Sequence, residues 1–285
     1  MTPQIIALID GSALTQSVCD YASWSAQRLS APLVLLNVLT ESRTPHSLDF
    51  SGNIGIDAQQ NLMQELVQVE AQRAKLARQQ GLLILDQAEH WVQQKHPALT
   101  LHKRQRHGDL VDTVLTIADE TRMLVIGRQG QDGPGIGQHI GHHVERVIRG
   151  VQKPVWVVNN DFQPPQRVMV AFDGSPTACK VIDTLAASPL CQNIPMVVVM
   201  VGEATVAHRA QLEAAVNTLT SAGLQATAEI IQGDVATVLM SYADAHALDA
   251  IVMGAYGHSR IREFFVGSHT NTLLMKAKKP LLLLR

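Results

Sequence analysis

The sequence is poor in most of the residue types that betray a function by composition. Its three cysteines, Cys19, Cys179 and Cys191, form no CxxC pair and no closely spaced even set. That excludes a disulfide framework or a zinc knuckle, and all three read as small buried apolar residues of a reducing compartment. Aromatic residues make up only 4% of the chain, so the cores implied by a hydrophobic content of 46% are aliphatic. Neither sign of charge dominates: the formal net charge is −2, with no basic run interleaved with aromatics, which argues against nucleic-acid binding. No apolar run is long enough to span a bilayer. The opening "MTPQIIALIDGS" has no basic segment ahead of a long apolar core, so no signal peptide is expected and the chain reads as cytoplasmic.

What the chain has is an internal repeat. "QIIALIDGS" and "RVMVAFDGS" both end an apolar run in Asp-Gly-Ser, at Asp10 and Asp173, and each is followed by helical pattern and a second apolar run. Runs apolar on both faces suit strands of a parallel sheet covered by helices. Further on, Gly108-Asp109 and Gly233-Asp234 each open a helical segment, with aspartate at its positive end, and the strand after each stops at Gly127 or Gly254. The last pieces, "GHHVERVIRGVQKPVWVV" and "GSHTNTLLMKAKKPLLLLR", run through a helix to Lys-Pro and an apolar strand. Each copy is expected to be βαβαβαβ-like, an open sheet covered by helices.

The copies differ in length. Asp10 and Asp173 are 163 positions apart, but Gly108 and Gly233 only 125, so the first copy holds roughly 37 extra residues between about Thr40 and His107. A helix is expected there from about Asp57, with Leu62, Leu66, Val69, Arg73 and Leu76 on one face and Gly81 as a break or bend. It reads as an elaborated cover over the sheet; a docking surface for another chain is the alternative. The polar, proline-containing "NNDFQPPQ" separates the copies. The terminal strands "PVWVV" and "PLLLLR" are apolar, and an open apolar edge invites pairing. The two are expected to pair with each other, making a pseudo-dimer within one chain.

The candidate site lies in "GAYGHSRIREFFVGSHT". Gly254, Gly257 and Gly267 follow the pattern G-x2-G-x9-G with Ser268 next, running from the end of a strand to the start of a helix. Glycines there let backbone N–H groups approach an anion, and the helix start adds free N–H groups and a hydroxyl; phosphate suits such a cradle. His258 and Arg260 either touch a terminal phosphate or sit in a solvated loop. Elsewhere, His139, His142 and His143 cluster in the first copy without a cysteine or placed carboxylate to complete a zinc set, so helix-capping or solvated histidines are preferred and no metal site is assigned. Ser12 and Ser175 lack a G-x-S-x-G elbow and read as helix caps. The P-loop pattern GxxxxGK[ST] is missing, and no catalytic residue is assigned.

The order of these parts, repeated over nearly the whole chain, resembles a tandem universal stress protein. The resemblance implies an α/β fold: two tandem open parallel-sheet domains, adenine nucleotide α-hydrolase-like with flavodoxin-like strand order, packed as a pseudo-dimer. The domains are expected at 1–158, with the helical insertion and a degenerate nucleotide loop, and at 167–285, with the intact loop; 159–166 is the linker. By matched position, the resemblance puts Asp173 and Met200 on adenine. It gives ribose and phosphates to Gly254, Gly257, Gly267 and Ser268, with His269 and Thr270 close by. The ligand implied is ATP, with ADP and AMP left open and any Mg²⁺ carried by the phosphates. The first loop departs from the pattern: ten residues separate Gly130 from Gly141, and His142 stands where the second copy has Ser268. Asp10 and Val38 remain there to meet a base, but nucleotide binding is expected mainly in the second copy. A nucleotide-responsive stress protein acting through unidentified partners is therefore expected. Slow ATP hydrolysis, a homodimer, and a scaffold with vestigial pockets stay open.

Overall fold

The computed structural model describes residues 2–39, 56–129, 142–159, 161–255 and 273–285, with backbone alone for 56–62, 142 and 143. In the first half, β1 (Gln4–Leu8), α1 (Thr15–Arg28), β2 (Leu33–Leu39), α2 (Ile56–Lys95) and β3 (Leu101–His107) are followed by α3 (Leu110–Thr116), β4 (Thr121–Gly127), α4 (His142–Gly150) and β5 (Val155–Val158). The second half repeats this as β6 (Val168–Ala171), α5 (Pro176–Ala186), β7 (Met196–Val201), α6 (Val206–Ser221), β8 (Ala226–Ile231), α7 (Val235–Ala245), β9 (Ala250–Gly254) and β10 (Leu281–Leu284). Residues 273–276 are helical and lead into β10.

The ten strands of the described residues form one sheet, in the order β3-β2-β1-β4-β5-β10-β9-β6-β7-β8. Every neighbouring pair is parallel except β5 and β10, which run antiparallel with Trp156 opposite Leu282. The two apolar terminal strands thus cover each other's edge, as their composition demands. The strand order itself is a correction. Each half is wound 3-2-1-4-5, not in the flavodoxin-like 2-1-3-4-5, and each has one strand more than the repeat suggested. The reason lies in β3, "LHKRQRH", and β8, "ATAEII", whose side chains are mostly exposed or half-buried. Such polar strands can occupy only the outer edges, while the apolar "TRMLVIG" and "AIVMG" must lie inside.

The strands are buried on both faces. Ile5 and Ala7 point into a core beneath α1, α2, α5 and α6, whereas Ile6 and Leu8 point into another beneath α3, α4, α7 and residues 273–277. Four aromatics, Tyr21, Trp24, Trp156 and Phe162, gather where the halves meet. Tyr21 of α1 packs 5.4 Å from the Trp156 ring and 4.7 Å, edge-on, from Phe162, so the polar interdomain segment is anchored by its one aromatic residue. The segment's end is held as Gln166 N and Arg167 N donate to Asp249 Oδ2. Each half also caps the last helix of the other. Arg128 and Asn159 donate to the Ala277 carbonyl at 2.7 and 2.6 Å, and Arg285 donates to the carbonyls of Ile148 and Arg149 at 3.0 and 2.9 Å. Unpaired helix carbonyls are thereby satisfied across the joint.

The long helix α2 does not break at Gly81. It runs unbroken for 40 residues, against 16 for its counterpart α6. Gly81 is the point at which it touches the sheet: a Cβ there would stand 2.3 Å from Gln105 Nε2 and 2.4 Å from Asn37 Oδ1. Beyond it Leu85, Ala88 and Val92 enter the core. Farther along, Asp20 of α1 accepts hydrogen bonds from Lys95 and from Trp91 Nε1 at 3.0 Å, with the ammonium 4.1 Å from the Trp91 ring centre.

The cysteines follow the expectation of burial at two positions and depart from it at Cys179, which lies on the outer side of α5. Cys19 and Cys191 are buried, which pushes each thiol up to about 12, while Cys179 is exposed. Since the thiolate is the reactive form, a thiol reagent is expected to titrate one cysteine in the native chain and all three after denaturation. Rapid native labelling of two or more in a mass-resolved time course would contradict the packing described.

Candidate functional site

The strand order reverses between β6 and β9. The chain leaving β6 turns into α5 on one face of the sheet, and the chain leaving β9 reaches β10 through the 273–276 helix on the other. Diverging connections leave a crevice at the carboxyl ends of those strands, the usual ligand position in open α/β sheets. The first half has the matching crevice between β1 and β4.

The Asp-Gly-Ser turns form one wall of each crevice and share one hydrogen bond, from the serine N–H to the aspartate. Ser175 N donates to Asp173 Oδ1 at 3.0 Å, and Ser12 N to Asp10 Oδ1 at 2.9 Å, so each carboxylate is held through a single oxygen. The glycines between them take φ of 73° at Gly174 and 78° at Gly11, a region other L-residues resist. Ser175 then caps α5, its Oγ accepting from Ala178 N at 3.1 Å, and Pro176 begins the helix. Ser12 does not do the same: α1 starts three residues later, with Leu14 at its N-cap and no side-chain cap. The Gly-Asp pairs behave alike in both halves, Asp109 capping α3 and Asp234 capping α7.

The second wall is the end of β9. A Cβ on Gly254 would lie 2.9 Å from Thr177 Cγ2, so the strand terminus and the first turn of α5 touch directly. In the first half Gly127 meets Leu14 instead. A hydroxyl-bearing residue therefore flanks one crevice, an aliphatic one the other. Gln211 of α6 reaches over the Asp173 turn, where a Cβ on Gly174 would meet its Oε1 at 2.6 Å. Neither Thr177 nor Gln211 belongs to the glycine motif. Only their packing against Gly254 and Gly174 discloses them, and the sequence carries no signal for either.

Among the residues expected at the site, Asp173 is exposed at the crevice, Gly254 closes its other side, and Met200 lies on the neighbouring strand β7. The Met200 side chain is only 2% exposed and belongs to the core, so a ligand in the crevice could meet its backbone but not its thioether. Gly257, Gly267, Ser268, His269 and Thr270 lie outside the described residues, as do His258, Arg260, Gly130, Gly141 and His139. His142 and His143 begin α4. Among the described residues no three His, Cys, Asp or Glu side chains gather closely enough to hold a metal ion, and no helix is long and apolar enough to cross a membrane. A cavity of about 260 Å³ beside α7, with Ser241, Asp244 and Lys276 in its lining, lies near the amino end of β9, away from this crevice.

Comparison with known proteins bears on the chain as a whole. The sequence model described as "Universal stress protein family" matches residues 1–159 and again 165–285. Universal stress protein Slr1230 of Synechocystis sp. is 31% identical over 287 aligned residues, covering 99% of each chain. Among solved structures, a universal stress protein from Archaeoglobus fulgidus superposes with a TM-score of 0.72 at 15% identity, covering 99% of this chain and 98% of that one. A Pseudomonas aeruginosa protein described as functionally unknown superposes at 0.63, also at 15% identity, covering 99% of this chain and 92% of its own. At such identities the two structural likenesses speak for the fold alone.

Proposed function

Because the chain belongs to the universal stress protein family, we propose that it is an adenine-nucleotide-binding protein of the stress response, with its working site in residues 167–285 and a non-equivalent cleft in residues 1–158. The observation that carries this reading is the contact of Gly254 with Thr177 beside the Asp173 turn, at the reversal of strand order. A side chain at Gly254 would fill the space, so the crevice is kept for backbone and ligand. In this reading the Asp173 carboxylate accepts from the adenine amino group, and the backbone of Met200 borders the base. Gly254, Gly257 and Gly267 let amides close on ribose and phosphates, while Ser268, His269 and Thr270 supply donors at the helix start. The donor set suits ATP, ADP or AMP, and a Mg²⁺ ion would arrive on the phosphates. Phosphate contacts made by residues 254–267 then alter a surface that partner proteins recognise. The second half is favoured over the first because Thr177 replaces Leu14 and Ser268 replaces His142, each exchange adding a hydroxyl.

Calorimetry with ATP tests both the ligand and the half. Wild type is expected to bind, Asp173→Ala and Gly257→Val to weaken binding at least about tenfold, and Asp10→Ala to leave it unchanged. Equal heats from wild type and Gly257→Val would sink the nucleotide reading; loss in Asp10→Ala alone would move the site to the first half. Nucleotide at about a hundredfold over its dissociation constant should also stabilise the fold by about 2.7 kcal/mol, readable as a thermal shift.

A further inference from the structure

Residues 63–80 of α2 are exposed on every side, with Leu66 alone half-buried, whereas from Gly81 onward the same helix enters the core every three or four residues. About 27 Å of helix, at 1.5 Å per residue, therefore extends past the packed body. Val67 and Leu76 are each 64% exposed, Val69 46%. A helix of this length gains little from propensity alone and ordinarily owes its stability to a buried apolar face. Here that face is built but has no partner among the described residues.

The spacing of its residues says what kind of partner fits. Val69, Leu76 and Leu83 recur every seven positions, with Leu66, Arg73 and Gln80 three places ahead of each of Val69, Leu76 and Leu83. This is the spacing of a short a/d seam, apolar at Leu66, Val69, Leu76 and Leu83 and polar at Arg73 and Gln80. The charges are segregated along it: Glu65 and Glu70 come first, then Arg73, Lys75 and Arg78. We infer that this stretch pairs with the same stretch of a second copy of the chain, antiparallel and centred near Ala71. In that alignment Leu66 packs on Leu76 of the other copy, and Arg73, packed on the other copy's Val69, reaches the neighbouring Glu70 of that copy. Acidic half meets basic half twice. A parallel pairing would instead stack Arg73 on its own counterpart, like charge on like in one core layer. The antiparallel overlap about Ala71 spans the exposed residues and stops where α2 meets the sheet at Gly81, so the two bodies need not collide. The β5–β10 joint, already used within the chain, takes no part.

The test uses the full chain without added nucleotide, so that its outcome is independent of the crevice. Sedimentation equilibrium is expected to show a dimer of wild type. Leu76→Glu, a change at an exposed position, should weaken it at least about tenfold while leaving circular dichroism and melting unaltered. Glu70→Arg and Arg73→Glu should each weaken the dimer, and the double variant should restore it, because the two Glu70–Arg73 pairs are then re-formed with their signs exchanged. A wild type that is monomeric at about 100 μM would overturn the inference, whether the face is then covered by residues 40–55 of the same chain or by another protein. So would a dimer untouched by Leu76→Glu, or single charge variants that the double does not rescue.

Discussion

Trp156→Ala is expected to destabilise the chain by about 3–5 kcal/mol, the range for removing a large aromatic from a packed core. Trp156 is 1% exposed and lies on β5, opposite Leu282 in the one antiparallel pair of the sheet. Its ring meets Tyr21 at 5.4 Å and Trp24 at 6.3 Å. The resulting cavity would sit on the joint between the halves, where neither can collapse without disturbing the other. A fall of that size should move the melting midpoint by about 5–10 °C in a chain this long. Trp156→Phe separates packing from polarity. The indole N–H has no hydrogen-bond partner among the described residues, so losing it relieves a buried unsatisfied donor and offsets part of the lost volume. The Phe variant is therefore expected within about 1–2 kcal/mol of wild type. A small effect of the alanine change in a denaturation series would show that the joint is far looser than described.

Gly81→Ala provides the second large effect, and its sign is the informative part. On helix propensity alone, alanine at an interior position should stabilise α2 by about 1 kcal/mol. The packing predicts the reverse. The new methyl group would stand 2.4 Å from Asn37 Oδ1, and Asn37 is buried with its amide donating to the Ile9 carbonyl at 2.8 Å. Gln105 can swing away, but Asn37 can yield only by breaking a buried hydrogen bond or by lifting α2 off the sheet. A net loss of about 1–3 kcal/mol is expected, larger still for Gly81→Val. Stabilisation by alanine in urea denaturation would place the helix farther from β2 than the structure has it.

Several features are legible in the sequence because each rests on a local pattern with one physical meaning. The β5–β10 pairing follows from two apolar terminal strands that neither half can leave open to water. The Asp109 and Asp234 caps follow from Gly-Asp at the head of an apolar helical face. Where the pattern is silent, the reading falls short. β3 and β8 have no apolar run because they face solvent at the sheet edges, so the strand count and order of each half escape notice. Gly81 looks like a helix breaker because its real task, letting a helix approach a sheet, is set by residues 44 and 24 positions away, Asn37 and Gln105. The same holds at the crevice. Asp173 and Gly254 belong to a readable motif, whereas Thr177 and Gln211 enter only through packing against glycine.

The antiparallel β5–β10 seam also limits how the molecule could have grown. A contact that matches a surface to its own repeat closes upon itself: the first module uses its last strand on the second, and the second returns the same strand. A further copy would find that edge already taken on both sides; what the sheet leaves open are β3, with Lys103, Arg104 and Arg106, and β8, both polar strands. The extra length of the first half accordingly lies away from that seam, in α2, inside the connection between β2 and β3.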